Sequence, residues 1–374
     1  MGFFLFIFAA IFHVPHGGSI GSALDSARIE YANSGKGSTI YIAPGTYYEE
    51  LTIDVPDVTF VNAAAEPSIG VSNGGVTADT NAVRISWYCG HGYQYRSMGG
   101  NFNYGGKRMR RWNAAVLVTA PRFTAENIIF ENSFNLYISP AELSDSLVDI
   151  SQAAVDWTVN ERPKKVMPAR PRELWSTEVQ QARFTERAAA LSFVSGATDA
   201  RLVGCRITGK QDVLYGDHGA SLVLDGGVVQ GTVDYIFGGM DVTVRNAELV
   251  IGSEVGKKEC YIAAGRGFVV NSKTSDGQER VRISSDSLQT EYGLVPADEV
   301  AAQGMVFVGC TVRYATPDEL LRPGAPLVYL ARPWRWWGRH SFISTNTEAV
   351  RMAEPPVSLG LTKGRQAPYV EVTK

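Results

Sequence analysis

An all-β chain wound as a parallel β-helix is what this sequence predicts, on three observations. Five segments, at 122–133, 200–209, 221–231, 242–252 and 304–314, share one pattern of alternating apolar residues, a small or amide pair, and a second apolar alternation. The glycines Gly209, Gly231 and Gly252 step by 22 and 21 residues, a length that suits one coil of a solenoid. Helical periodicity is almost confined to two places, one near the start and one inside a long insertion. A sandwich of evenly spaced strands is the rival arrangement. The regular step and the scarcity of tight Asn-Gly hairpins favour the coil.

Each element follows from local pattern. Ser19–Ala32 has apolar residues at near-helical spacing and predicts a short amphipathic helix. Strands follow at 40–42, 51–53 and 58–61, with Pro44-Gly45 as a turn. Two excursions interrupt the coils, at 79–115 and 134–186, the second with a helical piece at 141–157. Insertions of that length in a compact domain are functional or mobile loops. Lys107, Arg108, Arg110, Arg111 and Trp112 in the first suit either an anionic polymer or a solvated loop. Residues 2–12, GFFLFIFAAIF, are apolar and too short to span a bilayer comfortably. No Lys or Arg precedes them and no A-x-A site follows, so a signal segment and a buried first strand are both open. The expected organisation is an apolar segment at 1–14 and one domain at 15–374.

Composition bounds the function. The 374 residues are 45% apolar and 20% charged, a globular balance. Thirty-eight glycines, 16 tyrosines and 16 phenylalanines favour strands and turns. A net charge of −3 gives no electrostatic case for nucleic acid or an anionic membrane. Cys89, Cys205, Cys260 and Cys310 form no CxxC pair, and the five histidines are scattered, so no metal site is expected. Disulfides are allowed but not required.

The chemistry concentrates in Lys210–Met240, where Asp212 and Asp234 stand 22 positions apart. On successive coils they would be neighbours, and paired carboxylates in an apolar setting serve acid/base and nucleophilic work. Two surface aspartates in turns would read the same way locally. Arg332, followed by Pro333 and Trp334, offers a cation that keeps a partner carboxylate ionised. Trp334, Trp336 and Trp337 offer faces for sugar rings, or a buried anchor.

These residues carry a family resemblance. Gly45–Glu49 (GTYYE) resembles a GxYxE segment, Ala188–Leu191 the end of QAVAL, and Gln211–Tyr215 (QDVLY) resembles QDTLY. Gly231–Gly238 (GTVDYIFG) resembles GTVDFIFG, Tyr261–Arg266 a YITAQGR-like strand, and Leu330–Trp334 (LARPW) resembles LGRPW. In that order the motifs are those of the pectin methylesterases. The resemblance implies a right-handed, single-stranded parallel β-helix, the pectin lyase-like solenoid, and hydrolysis of methyl esters on galacturonate in pectin. It implies no cofactor and no metal, a monomer acting on pectin, no nucleic-acid or membrane partner beyond a signal segment, and a secreted or periplasmic location. Asp234 would be the nucleophile, Asp212 the general acid and then base, Gln211 an oxyanion donor, and Arg332 the partner of Asp234. Trp334, Trp337, Tyr235 and Arg187 would meet substrate.

This sequence departs from the pattern at Arg187, where the family has the QAVAL glutamine, a second oxyanion donor. Arg187 is either a charged donor or turned away. Val213, Tyr235 and Ala331 replace Thr, Phe and Gly, and the stretch between the aspartates lacks the usual Arg and Cys. The departures leave room for a β-helix esterase or thioesterase on another substrate, or for polysaccharide binding without turnover. A lyase would call for Ca²⁺ held by several carboxylates, and the sequence shows no such cluster.

Overall fold

A computed structural model describes residues 9–70, 80–90, 93, 95–97, 114–147, 170–179, 187–194, 196–217, 219–252, 258–265, 304–332, 339–356 and 369–373. Among the described residues its strands form three parallel sheets of ten, eight and seven strands, and each complete coil gives one strand to each sheet. This is the parallel β-helix.

Register explains the core. In the ten-stranded sheet one inward position runs Phe12, Ile40, Phe60, Ala125, Leu202, Leu224, Val244, Phe307 and Phe342 on successive strands. Ile40 through Phe342 are all fully buried. The eight-stranded sheet answers with Tyr47, Ile85, Phe130, Ile207, Val229, Leu249 and Val312. Apolar residues at every second position therefore stack coil upon coil, and burying each such side chain contributes about 1.5–3 kcal/mol.

The amide-or-small pairs seen in the sequence are the turns between these two sheets. Asn127, Gly204, Gly226, Asn246, Gly309 and Ser344 all have positive φ, between 49° and 69°. A left-handed residue at each corner lets the chain turn sharply, and Gly and Asn tolerate it best. Packing also selects glycine at one of these corners. A Cβ on Gly204 would lie 2.6 Å from Asn127 Oδ1 on the preceding coil.

The predicted helix spans Ile20–Ser34, capped by Ser19 and ended by Gly35 at φ 67°. Its Ile20, Ala23, Leu24 and Ala27 join the main core, so it covers the open end of the solenoid. Glu49 of the GxYxE segment explains that motif structurally. Its carboxylate accepts from the Ile20 and Gly21 backbone N–H groups at 2.8 Å each and from the Ser19 hydroxyl at 3.0 Å. A carboxylate there satisfies orphan donors and suits the positive end of the helix dipole.

The apolar N-terminal run ends in a strand, Ala10–Val14, paired with Ser38–Ile42. The first excursion is shorter than 79–115, because Val83–Trp87 is an ordinary coil strand between Gly45–Tyr48 and Ile128–Asn132. The Gly- and Tyr-rich residues after it obscure that alternation. In the second excursion the described helix is Pro140–Ser144, and residues 148–157 of the expected helix lie outside the described residues. So does the 107–112 basic cluster.

The two excursions pack on each other. Tyr88 donates to Asp145 Oδ2 at 2.7 Å, Tyr95 donates to Glu142, and Arg170 grips both Glu142 oxygens at 2.8 and 3.0 Å. Tyr88, Cys89, Tyr93, Tyr95 and Phe134 form a satellite core against Ala188, one residue beyond Arg187. The four cysteines are buried thiols, none in a disulfide. Burial pushes Cys205 up to about 12, which leaves it unreactive.

His340 is fully buried, with Nε2 accepting from the Gly265 N–H at 2.8 Å. Burial holds its pKa down at about 4. Above pH 6.5 the ring is neutral folded and unfolded, so it adds no pH dependence. Between 6.5 and about 4 only the unfolded chain takes the proton, and stability falls with pH by about 3 kcal/mol in all. Urea unfolding at pH 7 and pH 4.5 should show this loss in the parent and not in His340→Gln. An imidazole that titrates near pH 6.5 by NMR would contradict it.

Candidate active site

Coil register brings the two aspartates together. Gln211 bridges Arg187 on one side and Val233 on the other, and Leu214 and Gly216 pair with Ile236 and Gly238. From Gln211–Val233 to Gly216–Gly238 the offset is 22, which sets Asp212 beside Asp234 on adjacent coils, about 4.7–4.9 Å apart in the backbone. The backbone locks this register: Asp212 N–H donates to Val233 O at 3.1 Å, and Thr232 N–H to Lys210 O at 2.7 Å.

Both aspartates have left-handed backbones, φ 59° at Asp212 and 48° at Asp234. Such a conformation costs about 1–3 kcal/mol at a non-glycine residue and clusters at functional sites. At Asp234 it coincides with a register shift, since Val233 pairs with Tyr261 but Ile236 with Ala263. A bulge of this kind re-aims a side chain. The glycine step seen in the sequence marks the preceding corner. A Cβ on Gly231 would lie 2.2 Å from the Tyr235 Cβ, so the corner is glycine because Tyr235 packs beneath it.

Arg332 meets Asp234 with two parallel hydrogen bonds, Nε to Oδ1 and Nη2 to Oδ2, both 2.6 Å. Asp234 is 7% exposed. Burial pulls the guanidinium's pKa down, but the charge and hydrogen bonds of Asp234 outweigh it and hold it above its ordinary value. The guanidinium also lies over the Tyr261 ring, 3.9 Å from its centroid. Asp212, 5% exposed, has Arg187 Nε 3.7 Å from its Oδ2. Arg187 is therefore turned towards the carboxylates, and it shares the ladder position of Gln211 one coil earlier.

The remaining sequence expectations divide. Tyr235 is corrected: it is fully buried in the main core, where burial raises its hydroxyl pKa far above the ordinary value, and it meets no substrate. The register shift at Asp234 breaks the usual alternation, so that Tyr235 and Ile236 both enter the core. Trp334 and Trp337 lie outside the described residues. Two features were missed. Tyr215 and Phe237, each three residues after an aspartate, pack with Ala264 in a separate apolar cluster, their rings 4.8 Å apart. Tyr261 beneath Arg332 is the other. Its signal was alternation, because Cys260 and Ile262 belong to the core and Tyr261 must face the other way.

Known proteins resemble this chain in sequence and in winding. The pectinesterase family model matches residues 178–292, the stretch that holds Arg187, Gln211, Asp212 and Asp234. Over that stretch the chain is similar to the pectinesterases. A probable pectinesterase/pectinesterase inhibitor 64 of Arabidopsis thaliana is 25% identical over 166 residues, 43% of this chain. The chain covers only 23% of that relative's own length. Pectin methylesterase from carrot superposes with a TM-score of 0.57 at 14% identity, over 98% of this chain and 82% of the other. A pectin methylesterase in complex with a hexasaccharide superposes at 0.51 and 19% identity, over 87% and 73%. Likeness to the solved pectin methylesterases matches the three-sheet winding found here.

Proposed function

We propose that this protein is a pectin methylesterase that hydrolyses methyl-esterified galacturonate through an acyl-enzyme on Asp234. The observation that carries this reading is the two-pronged clamp of Arg332 on Asp234, with Asp212 at the same position of the preceding coil. A two-pronged guanidinium clamp of that kind aims the carboxylate, as a nucleophile has to be aimed.

The steps follow from placement. An Asp234 oxygen attacks the ester carbonyl carbon, and the negative charge moves to the carbonyl oxygen. Gln211 and Arg187, on consecutive coils, donate to that oxyanion; one such donor is commonly worth about 10²–10³ in rate. As the oxyanion collapses the carbon–methoxy bond breaks, and Asp212 gives its proton to the departing methanol. Asp212, now ionised, takes a proton from water. The hydroxide adds to the acyl carbon and the bond to Asp234 breaks; galacturonic acid leaves and gives its proton to solvent, with Asp234 again a carboxylate and Asp212 again protonated. No step calls for a metal or an organic cofactor. The apolar wall of Tyr215 and Phe237 beside the aspartates keeps bulk water from screening these charges. A cell-wall polymer is met outside the cytoplasm, which is where we place the enzyme.

The test is methanol release from methyl-esterified pectin by the purified protein, with and without chelator. Methanol equal to the carboxylates formed, unaffected by chelator, is the expected result. An unsaturated, ultraviolet-absorbing product without methanol would sink the reading in favour of elimination.

A further inference from the structure

We propose that Tyr261 is a positioning residue for the reaction, its ring holding the Arg332 guanidinium in the plane where both nitrogens meet Asp234. The inference rests on the esterase reading of this site.

Strand order makes such a support necessary. Arg332 follows the strand Leu327–Ala331, and Asp234 lies in Val233–Gly238. The strand between them in the sheet is Glu259–Gly265. The Arg332 side chain must therefore cross a whole coil, a span of about 9–10 Å between backbones at the usual strand spacing. Its backbone is pinned at the start, with N–H donating to Ala263 O at 2.9 Å. The guanidinium crosses over Tyr261, 3.9 Å above the ring. A flat aromatic face suits a planar guanidinium, and the cation–π attraction strengthens where water is scarce.

Tyr261 is itself held from three sides. Val233, Tyr261 and Tyr329 occupy one ladder position on consecutive coils. The Tyr261 and Tyr329 rings stack with centroids 5.0 Å apart and planes 13° apart. The Tyr261 hydroxyl donates to Glu259, and the residue is only 8% exposed. Asp234 thus fixes the edge of the guanidinium and Tyr261 its face. A long side chain held on its edge alone could pivot about the two hydrogen bonds and carry the nucleophile out of line. A misplacement of about 1 Å costs about 10² in rate.

Kinetics of Tyr261→Phe, Tyr261→Leu and Tyr329→Leu on methyl-esterified oligogalacturonate test this. Tyr261→Phe keeps the face and should hold kcat within about 3-fold of the parent. Tyr261→Leu removes the face and should lower kcat by about 10–10²-fold while KM moves less than about 3-fold. Tyr329→Leu removes only the backing, so its loss should fall between these. In an Arg332→Lys background, which has no planar guanidinium, Tyr261→Leu should cost less than about 2-fold more. Equal losses for Phe and Leu, a loss carried by KM, or full additivity with Arg332→Lys would overturn the proposal. Should the parent release no methanol, the esterase reading fails on its own. The support is then read from melting temperatures of the same cycle, where non-additive shifts uphold it and additive shifts reject it. If Tyr261→Leu does not fold, Tyr329→Leu with and without Arg332→Lys decides by the same rule.

Discussion

Asp234→Asn should cut methanol release by about 10⁴-fold or more, because the proposed acyl bond loses the carboxylate that forms it. The neutral amide is a poor nucleophile at any pH. It also presents only one acceptor to a guanidinium that now donates to two oxygens at 2.6 Å each. Half of the fork would lose its charged acceptor in a site where Arg332 is largely withdrawn from water. A modest loss of stability should therefore accompany the loss of rate. Steady-state methanol assays beside urea unfolding separate the two effects. Activity within tenfold of the parent, in a folded variant, would remove Asp234 from the chemistry.

Asp212→Asn should fail differently. The amide neither protonates methanol nor activates water, so turnover of methyl esters should fall by about 10²–10⁴-fold. An aryl ester of the same oligogalacturonate changes the outcome, because phenolate leaves without a proton. That substrate should give Asp212→Asn one rapid equivalent of phenol and then stall as an acyl-enzyme. Asp234→Asn should give no burst on either substrate. Rapid-quench kinetics, with intact mass to detect the covalent adduct, distinguish the roles. A burst from Asp234→Asn and none from Asp212→Asn would exchange them.

What the sequence made legible, and what it hid, follow from different physics. The coil corners were visible as amide-or-small pairs because a left-handed turn admits few residue types, and Asn127, Gly204 and Gly309 are what such a turn selects. The neighbourhood of Asp212 and Asp234 was visible because the coil step and their spacing agree. Which way a side chain faces was harder. The bulge at Asp234 sends Tyr235 into the core, and nothing in the letters GTVDYIFG marks a bulge. Val83–Trp87 was lost among the aromatic and glycine residues that follow it. The support beneath Arg332 was hidden for another reason. Tyr261 and Arg332 meet only because one coil passes under the other's side chain, and no local pattern joins positions 71 residues apart. Arg187 stood out as a departure, but only its 3.7 Å approach to Asp212 shows that it has not turned away.

The clamp on Asp234 has a consequence for how the protein comes into being. Asp234 and Arg332 are 98 residues apart, with Arg332 far the later in synthesis. A solenoid can wind coil by coil as the ribosome delivers it, so Asp212 and Asp234 can be wound together while Arg332 is still to be made. Until that arginine crosses over Tyr261, a half-made chain holds both carboxylates without the cation that tells them apart. The nascent protein is therefore assembled before it is armed.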